Sequence, residues 1–181
     1  GKTDEKKEFL IRQSIRERGT ENYRQIGESR VASDRKLSFP VPDIKLWDLE
    51  NPLLYEVKTE LLQNGNVLDE NITLFGFRTA VFLQDGLYLN GKKVKLRGLN
   101  RHQSYPYVGY AMPESMQKRD ADILKNELGV NAVRTSHYPQ SRHFVERCDE
   151  LGLLVFTEIP GWQHIGDEIW KKQAVENVKD M

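Results

Sequence analysis

Hydrophobic and polar residues alternate along the first half of the chain. The alternation covers residues 9–16 and recurs over residues 55–61, and a period of two is typical of a half-buried strand. Asn64-Gly65 follows the second stretch and predicts a two-residue hairpin turn, because both residues tolerate a positive φ. The return strand is expected over residues 67–74.

Prolines separate these short strands and argue against helix in the same region. Pro40, Pro42 and Pro52 lie between the two alternating stretches. Short strands at this spacing predict a β-sandwich that ends near residue 80. About five strands can be counted, fewer than the roughly seven of a complete sandwich.

The second half follows a different pattern, in which strands alternate with helices. A hairpin with its turn at Asn90-Gly91 comes first. The apolar residues Met116, Ile123, Leu124 and Leu128 form one side of the first helix, which Gly129 ends. The pattern is typical of a parallel sheet. The predicted strand, helix, strand, helix and strand cover residues 94–99, 113–128, 131–135, 141–151 and 153–157.

Composition and charge exclude several classes of protein. The 181 residues carry 27 basic and 27 acidic side chains, so a zero net charge gives no reason to expect nucleic acid or a membrane surface as a partner. The longest apolar runs have the length of a strand, far below the roughly 20 residues of a membrane-spanning helix.

The single Cys148 excludes an internal disulfide and is expected to be a core thiol. Gly1 opens the chain, so we expect the native N-terminus to be missing, and the compartment stays open.

Polar and aromatic side chains follow each of the three predicted parallel strands. They occupy residues 100–103, 134–139 and 158–164. Functional groups of βα proteins gather at the carboxyl ends of the strands. The coincidence of three such groups therefore predicts a site at this edge of the sheet.

Longer motifs carry a resemblance to a known family, the family 2 glycoside hydrolases, which include β-galactosidases and β-glucuronidases. The resemblance covers about residues 44–164, and residues 1–43 add little to it. The motifs are Leu46-Trp47, Asn51-Pro52-Leu53-Leu54-Tyr55, Gly76-Phe77-Arg78, Leu89-Asn90-Gly91-Lys92, Leu96-Arg97-Gly98-Leu99-Asn100-Arg101-His102, Asp122-Ile123, Asn131-Ala132-Val133-Arg134-Thr135-Ser136-His137-Tyr138-Pro139 and Cys148-Asp149-Glu150-Leu151-Gly152-Leu153.

The resemblance implies an all-β immunoglobulin-like sandwich followed by an α/β domain. The sandwich would occupy residues 1–80, incomplete at its N-terminus. Residues 81–181 would form the first three strands of a (β/α)8 TIM barrel. Such enzymes retain configuration and use two glutamates, which the resemblance places on later strands, typically with an Asn-Glu pair. Here Asn126-Glu127 lies in the first predicted helix, so we expect no catalytic residue within the chain and no activity of the chain alone.

The same resemblance implies which side chains contact the sugar. Arg134, His137 and His102 match positions at the floor and wall of the sugar subsite, where they would hydrogen-bond ring hydroxyls and favour the oxocarbenium-like transition state. Without it, Arg134 and His137 would form a structural hydrogen-bonding pair. The remaining candidate residues for the sugar site are Asn100, Glu158 and Trp162.

Two of these residues keep alternative interpretations. Glu158 either contacts the sugar or only orients Arg134, and Trp162 either offers a face to the sugar or anchors its loop. Trp162 also stands where magnesium-dependent β-galactosidases have a glutamate ligand. His164 alone is a weak case for magnesium, and no metal or other cofactor is expected.

The predicted parent protein is an exo-acting glycosidase most like a β-galactosidase, which hydrolyses terminal β-glycosides in carbohydrate metabolism. β-Glucuronidase or β-mannosidase specificity, or a non-catalytic carbohydrate-binding or interaction module, are the alternatives. A barrel stopped after three strands exposes strand edges and apolar faces, which predicts self-association into a homo-oligomer. Specificity, compartment and native oligomeric state stay open.

Overall fold

The computed structural model describes residues 8–31 and 36–181 and divides the chain into two compact units. The first unit combines Gly1–Trp47 with Leu53–Arg78, and the second combines Asp48–Pro52 with Thr79–Met181. No helix among the described residues is both long and apolar enough to cross a membrane.

The described part of the first unit forms a four-stranded antiparallel sheet with the order β2-β1-β3-β4. Asn64 and Gly65 have φ values of 51° and 80°, which confirms the predicted hairpin between β3 and β4. Ile15 on β1 and Leu62 on β3 are buried together with Trp47. The strands are β1 Phe9–Glu17, β2 Arg24–Arg30, β3 Tyr55–Gln63 and β4 Asn66–Phe75.

The second unit begins with a small antiparallel sheet and continues as alternating parallel strands and helices. The small sheet contains β5 Ala80–Leu83, β6 Gly86–Leu89 and β7 Lys92–Val94. The parallel sheet has the order β10-β9-β8. Its elements in chain order are β8 Gly98–Arg101, α1 Glu114–Asp122, a π-helical turn Ile123–Glu127, β9 Ala132–Thr135, α2 Arg142–Leu151 and β10 Leu154–Phe156.

The predicted bounds of the first parallel strand were wrong. Residues 92–94 belong to the small antiparallel sheet, and the parallel strand β8 runs from Gly98 to Arg101. The register pairs Asn100 with Arg134 and Arg101 with Thr135. The prediction placed Asn100 after the strand, whereas the structure places it within β8.

The first helix is also less regular than its hydrophobic pattern predicted. Its last turn widens, so that the amide of Leu128 donates to the carbonyl of Ile123 at 3.0 Å. Leu124 stays buried, while Leu128 is 55% exposed and does not join the apolar side. Gly129 follows with φ 65°, which confirms the predicted stop.

One apolar core lies between the parallel sheet and the two helices α1 and α2. Its buried members are Ala121, Leu124, Val133, Phe144, Cys148 and Leu153, so the prediction of a core thiol is confirmed. Gly152 ends α2 with φ 73°, and a Cβ there would lie 2.5 Å from the carbonyl oxygen of Leu49. Nζ of Lys125 donates to the same Leu49 oxygen at 2.7 Å, which holds residues 48–52 in the second unit.

A third helix, α3, covers Glu168–Asp180 and was not predicted. The Asp167 side chain accepts a hydrogen bond from the amide of Trp170 at 2.9 Å and caps its first turn. None of the α3 side chains is buried.

Candidate sugar-binding site

The candidate residues meet at the carboxyl ends of three adjacent parallel strands. His102 follows β8 directly, Arg134 is the penultimate residue of β9, and Glu158 comes two residues after β10. Because β8, β9 and β10 are parallel neighbours, their carboxyl ends lie at one edge of the sheet. His137 follows β9 at the same edge.

Three of these side chains form a hydrogen-bonded cluster around one carboxylate. Nη2 of Arg134 donates to Oε1 of Glu158 at 2.5 Å. Nδ1 of His137 lies 3.2 Å from Oε2 of Glu158 and 3.5 Å from Nη2 of Arg134. Since the arginine nitrogen is a donor, a proton on Nδ1 that donates to Glu158 fits this arrangement.

The surroundings of Glu158 favour its charged form. Desolvation raises the pKa of this carboxyl, but the hydrogen bonds that it accepts from Arg134 and His137, together with the charge of Arg134, hold the pKa below its ordinary value. Glu158 is therefore a carboxylate at neutral pH and balances the guanidinium charge.

Thr135 connects the backbones of the two strands that carry this cluster, and sequence reasoning missed it. Its hydroxyl donates to the carbonyl of Phe156 at 3.3 Å and accepts from the amide of Glu158 at 3.1 Å. Thr135 is fully buried. It fixes the point at which the chain leaves β10, and hence the position of the Glu158 carboxylate.

Aromatic rings extend the cluster on the side of His137. The Trp162 ring is stacked on the His137 ring, with centroids 4.5 Å apart and 18° between the planes. The His102 ring packs edge-on against His137 at 5.3 Å. Trp162 is 55% exposed and therefore presents an accessible indole surface next to the cluster.

Asn100 lies beside the cluster and lines a cavity of about 390 Å³ on the same face as Arg134 and Glu158. The cavity is open to solvent and largely apolar. Its lining residues are Leu96, Gly98, Leu99, Asn100, Ala132, Val133, Arg134, Phe156, Thr157 and Glu158.

Tyr138 is a second residue that sequence reasoning did not single out. Its hydroxyl accepts a hydrogen bond from the amide of Gln103 at 3.0 Å, and its ring lies 6.3 Å from that of His102. It thus connects the turn after β9 with the turn after β8. The only sequence signal was its place in the Ser136-His137-Tyr138-Pro139 motif.

The other two histidines belong to different surroundings. His164 packs edge-on against Trp170 at 5.5 Å, and Nδ1 of His143 lies 3.8 Å from Glu114. Among residues 8–31 and 36–181, no group of three or more His, Cys, Asp or Glu side chains is arranged to hold a metal ion.

Comparison with known proteins assigns both units to one family. Residues 1–78 match the profile described as "Glycosyl hydrolases family 2", and residues 81–179 match "Glycosyl hydrolases family 2, TIM barrel domain". The chain belongs to glycoside hydrolase family 2, as its motifs predicted. The match also includes residues 1–43, which lie before the first of these motifs.

Similar proteins are known as sequences and as structures. A β-galactosidase of Thermoanaerobacterium thermosulfurigenes is 67% identical over 139 residues, 77% of this chain and 19% of that protein. A β-galactosidase of Thermoanaerobacter pseudethanolicus is 59% identical over 136 residues, 75% and 18% of the two chains. An apo structure of Bacteroides uniformis β-glucuronidase 3 matches with a TM-score of 0.74 and 34% identity, covering 97% of this chain and 22% of that one.

These comparisons also confirm the predicted fold class. The chain contains a family 2 sandwich domain and the start of a TIM-barrel domain, and its described sheets are partial and not closed. It spans about a fifth of the length of the two β-galactosidases named above.

Proposed function

We propose that this chain forms part of the sugar-binding site of a retaining, exo-acting β-glycosidase, most like a β-galactosidase. The observation that supports this most is the cluster of Arg134, His137 and Glu158 at the carboxyl ends of adjacent parallel strands. The β-galactosidases that are 67% and 59% identical support the same proposal.

The cluster and Trp162 supply hydrogen-bond donors, an acceptor and an apolar face for a sugar ring. With Nδ1 of His137 donating to Glu158, Nε2 is the acceptor for a ring hydroxyl, while N–H groups of Arg134 that point to solvent are donors. The Trp162 indole offers an apolar face to the C–H groups of the ring. Hydrogen bonds from such fixed groups stabilise the charge that develops in an oxocarbenium-like transition state.

β-Glucuronidase activity is the second candidate, because the similar solved structures include β-glucuronidases. A glucuronide carries a carboxylate that needs a cation. The charge of Arg134 is already balanced by Glu158, at 2.5 Å, which favours an uncharged sugar. We therefore rank the galactoside above the glucuronide.

We further propose that the chain binds the sugar without cleaving it. Retaining hydrolysis needs one carboxyl that acts as an acid, with a raised pKa, and a second that acts as nucleophile. The lowered pKa of Glu158 does not suit the acid, and its hydrogen bonds to Arg134 and His137 engage the carboxylate that a nucleophile would use. The catalytic pair would then come from residues outside this chain.

The test uses the 181-residue chain labelled with ¹⁵N-histidine. Phenyl β-thiogalactoside, which resists hydrolysis, is expected to shift the ring-nitrogen signals of His102 and His137 and leave those of His143 and His164 unchanged. Single substitutions assign the signals of the four histidines. The corresponding thioglucuronide is the comparison ligand, and tighter binding of the glucuronide would reverse the ranking. Shifts confined to His143 or His164, or no shifts at all, would remove the proposed site.

A second measurement concerns turnover. The chain is expected to release no nitrophenol from nitrophenyl β-galactoside at any pH between about 5 and 8, because it would lack the catalytic pair. Release that disappears in the Glu158→Gln variant would show that Glu158 is itself a catalytic group.

Self-association is the remaining proposal about partners. β8 and β10 are the outer strands of the described parallel sheet, and both Leu99 and Phe156 are exposed. Sedimentation at micromolar concentration is expected to show dimers or larger species. A homogeneous monomer would contradict this.

A further inference from the structure

Arg101 is a buried cation directly before His102. Its side chain is only 6% exposed. A charge buried to this extent is costly unless it is paired and fully hydrogen-bonded. Nε and Nη2 donate to Oδ2 of Asp120 at 3.0 and 2.8 Å, Nη2 also donates to Oε1 of Gln117 at 2.8 Å, and Nη1 donates to Oε1 of Gln140 at 2.6 Å.

The strand alternation places Arg101 on the face of the sheet opposite to the candidate site. Asn100 pairs with Arg134 and lines the cavity, while the next pair, Arg101 with Thr135, is buried. The guanidinium carbon lies 3.9 Å from the centroid of the Phe144 ring on α2. Arg101 therefore acts from the helix side of the sheet, without direct access to the sugar.

Gln140 both accepts a hydrogen bond from Arg101 and donates one back to it. Its oxygen accepts from Arg101, and its Nε2 donates to the backbone carbonyl of Arg101 at 2.7 Å. One residue further on, the amide of Ser141 donates to Oε1 of Gln103 at 2.6 Å. The turn that follows His137 is thus joined to the turn that contains His102 by side chains from both segments.

We propose that Arg101 is a positioning residue, which holds the His102 and His137 rings in register by binding the ends of β8, α1 and the turn before α2 together. The inference rests on the proposed sugar site. The planar guanidinium donates to three acceptors in different directions, and a lysine cannot reproduce this pattern. Removal of these bonds lets the two turns move apart, which changes the distance between the two imidazoles.

The decisive variant is Arg101→Met, studied in the ¹⁵N-histidine-labelled chain. The ring-nitrogen signals of His102 and His137 are expected to shift without ligand, and affinity for phenyl β-thiogalactoside is expected to fall about tenfold or more, since small displacements of positioned groups carry large costs. Arg101→Lys is expected to restore only part of the affinity.

Arg147→Met is the matched control. Arg147 joins α2 to Asp122 through bonds of 2.9 and 2.7 Å and to Glu150 at 2.7 Å, so its removal also breaks an ion-pair network between helices. It is expected to lower the unfolding temperature while the His102 and His137 signals and the sugar affinity stay unchanged. Equal changes in both variants would reduce Arg101 to a general contributor to stability.

Two further results, a variant that does not fold and a chain that does not bind the ligand, can be told apart from failure of the proposal. If Arg101→Met does not fold, Gln140→Met removes the reciprocal bonds without removing the cation, and unchanged signals of both rings in this variant would overturn the proposal. If the unmodified chain fails to bind the thiogalactoside, the proposed function fails, while the ring signals still decide whether Arg101 positions the two histidines.

Discussion

Nη2 of Arg134 lies 2.5 Å from Oε1 of Glu158, and this ion pair joins side chains from β9 and from the turn after β10. The pair is half-buried, with 42% of the arginine and 23% of the glutamate side chain exposed. It determines where the guanidinium points and also neutralises it. The pair therefore links the stability of this sheet edge to the charge of the candidate site.

Glu158→Gln is expected to lower the free energy of unfolding by about 1 kcal/mol, because Arg134 and His137 lose a charged partner but keep an amide oxygen. Urea unfolding measures this. Glu146→Gln is the control, since Glu146 pairs with Arg142, whose side chain is 85% exposed, and a change of at most about 0.5 kcal/mol is expected. Equal losses in both variants would mean that the contacts of Glu158 stabilise the fold no more than the exposed ion pair of Glu146 does.

The same pair predicts how the effect depends on pH. The folded-state pKa of Glu158 is below its ordinary value of 4.5, so its stabilisation is complete above about pH 4.5 and is lost as the pH falls through the folded-state pKa. The difference in unfolding free energy between the unmodified chain and Glu158→Gln should therefore shrink as acid is added. A difference that stays constant down to about pH 2 would contradict this sign.

Gly152→Ala and Gly129→Ala form a matched pair of substitutions at helix ends. Both glycines have positive φ, which costs alanine about 1–2 kcal/mol. A Cβ at Gly129 meets nothing within 4 Å, whereas one at Gly152 lies 2.5 Å from the Leu49 oxygen. Thermal unfolding should show that Gly152→Ala costs at least about 1 kcal/mol more than Gly129→Ala. Similar losses in both variants would show that residues 48–52 can move away from the added Cβ without loss of stability.

Cys148 is expected to be unreactive in the folded chain. Burial raises the pKa of its thiol to about 12, so about one molecule in ten thousand carries the thiolate at pH 8. Reaction with a chromogenic disulfide reagent should follow the unfolding curve in urea. Rapid reaction without denaturant would show that the core between α1 and α2 opens readily.

Trp162→Ala distinguishes the two interpretations of that residue. Trp162 is 55% exposed, so we expect a change of at most about 0.5 kcal/mol in unfolding free energy, together with weaker binding of phenyl β-thiogalactoside. Trp170→Ala is the control, because Trp170 also packs against a histidine, His164. A large loss of stability with unchanged binding would identify Trp162 as a loop anchor.

Elements with a strong local signal could be predicted from the sequence. Asn64-Gly65 and Asn90-Gly91 adopt positive φ at two hairpins, and Gly129 and Gly152 end the two helices, because few other residues adopt this conformation. β2 was missed, since Ile26 is its only large apolar residue and no alternation can be seen. The exposure of Leu128 could not be foreseen, because a π-helical turn changes the angular spacing that the pattern assumes.

The candidate site was predicted in part for similar reasons. The strand-end position of Arg134 and Glu158 follows from the alternation of strands and helices, but their direct contact depends on the register of β9 and β10. Thr135 and Arg101 were overlooked because nothing in a sequence distinguishes a buried threonine or arginine from an exposed one. Their roles come from neighbours that are distant along the chain, such as Gln140 and Phe156.

The second unit is not continuous in sequence, because it includes Asp48–Pro52 as well as Thr79–Met181. A shortened polypeptide that starts at residue 81 would omit Asp48–Pro52, and Lys125 would lose one of its two carbonyl acceptors. The polypeptide passes between the units three times, after Trp47, after Pro52 and after Arg78. No single cut in the coding sequence yields both units whole, since a cut after Arg78 keeps the first unit complete but leaves Asp48–Pro52 on the wrong polypeptide.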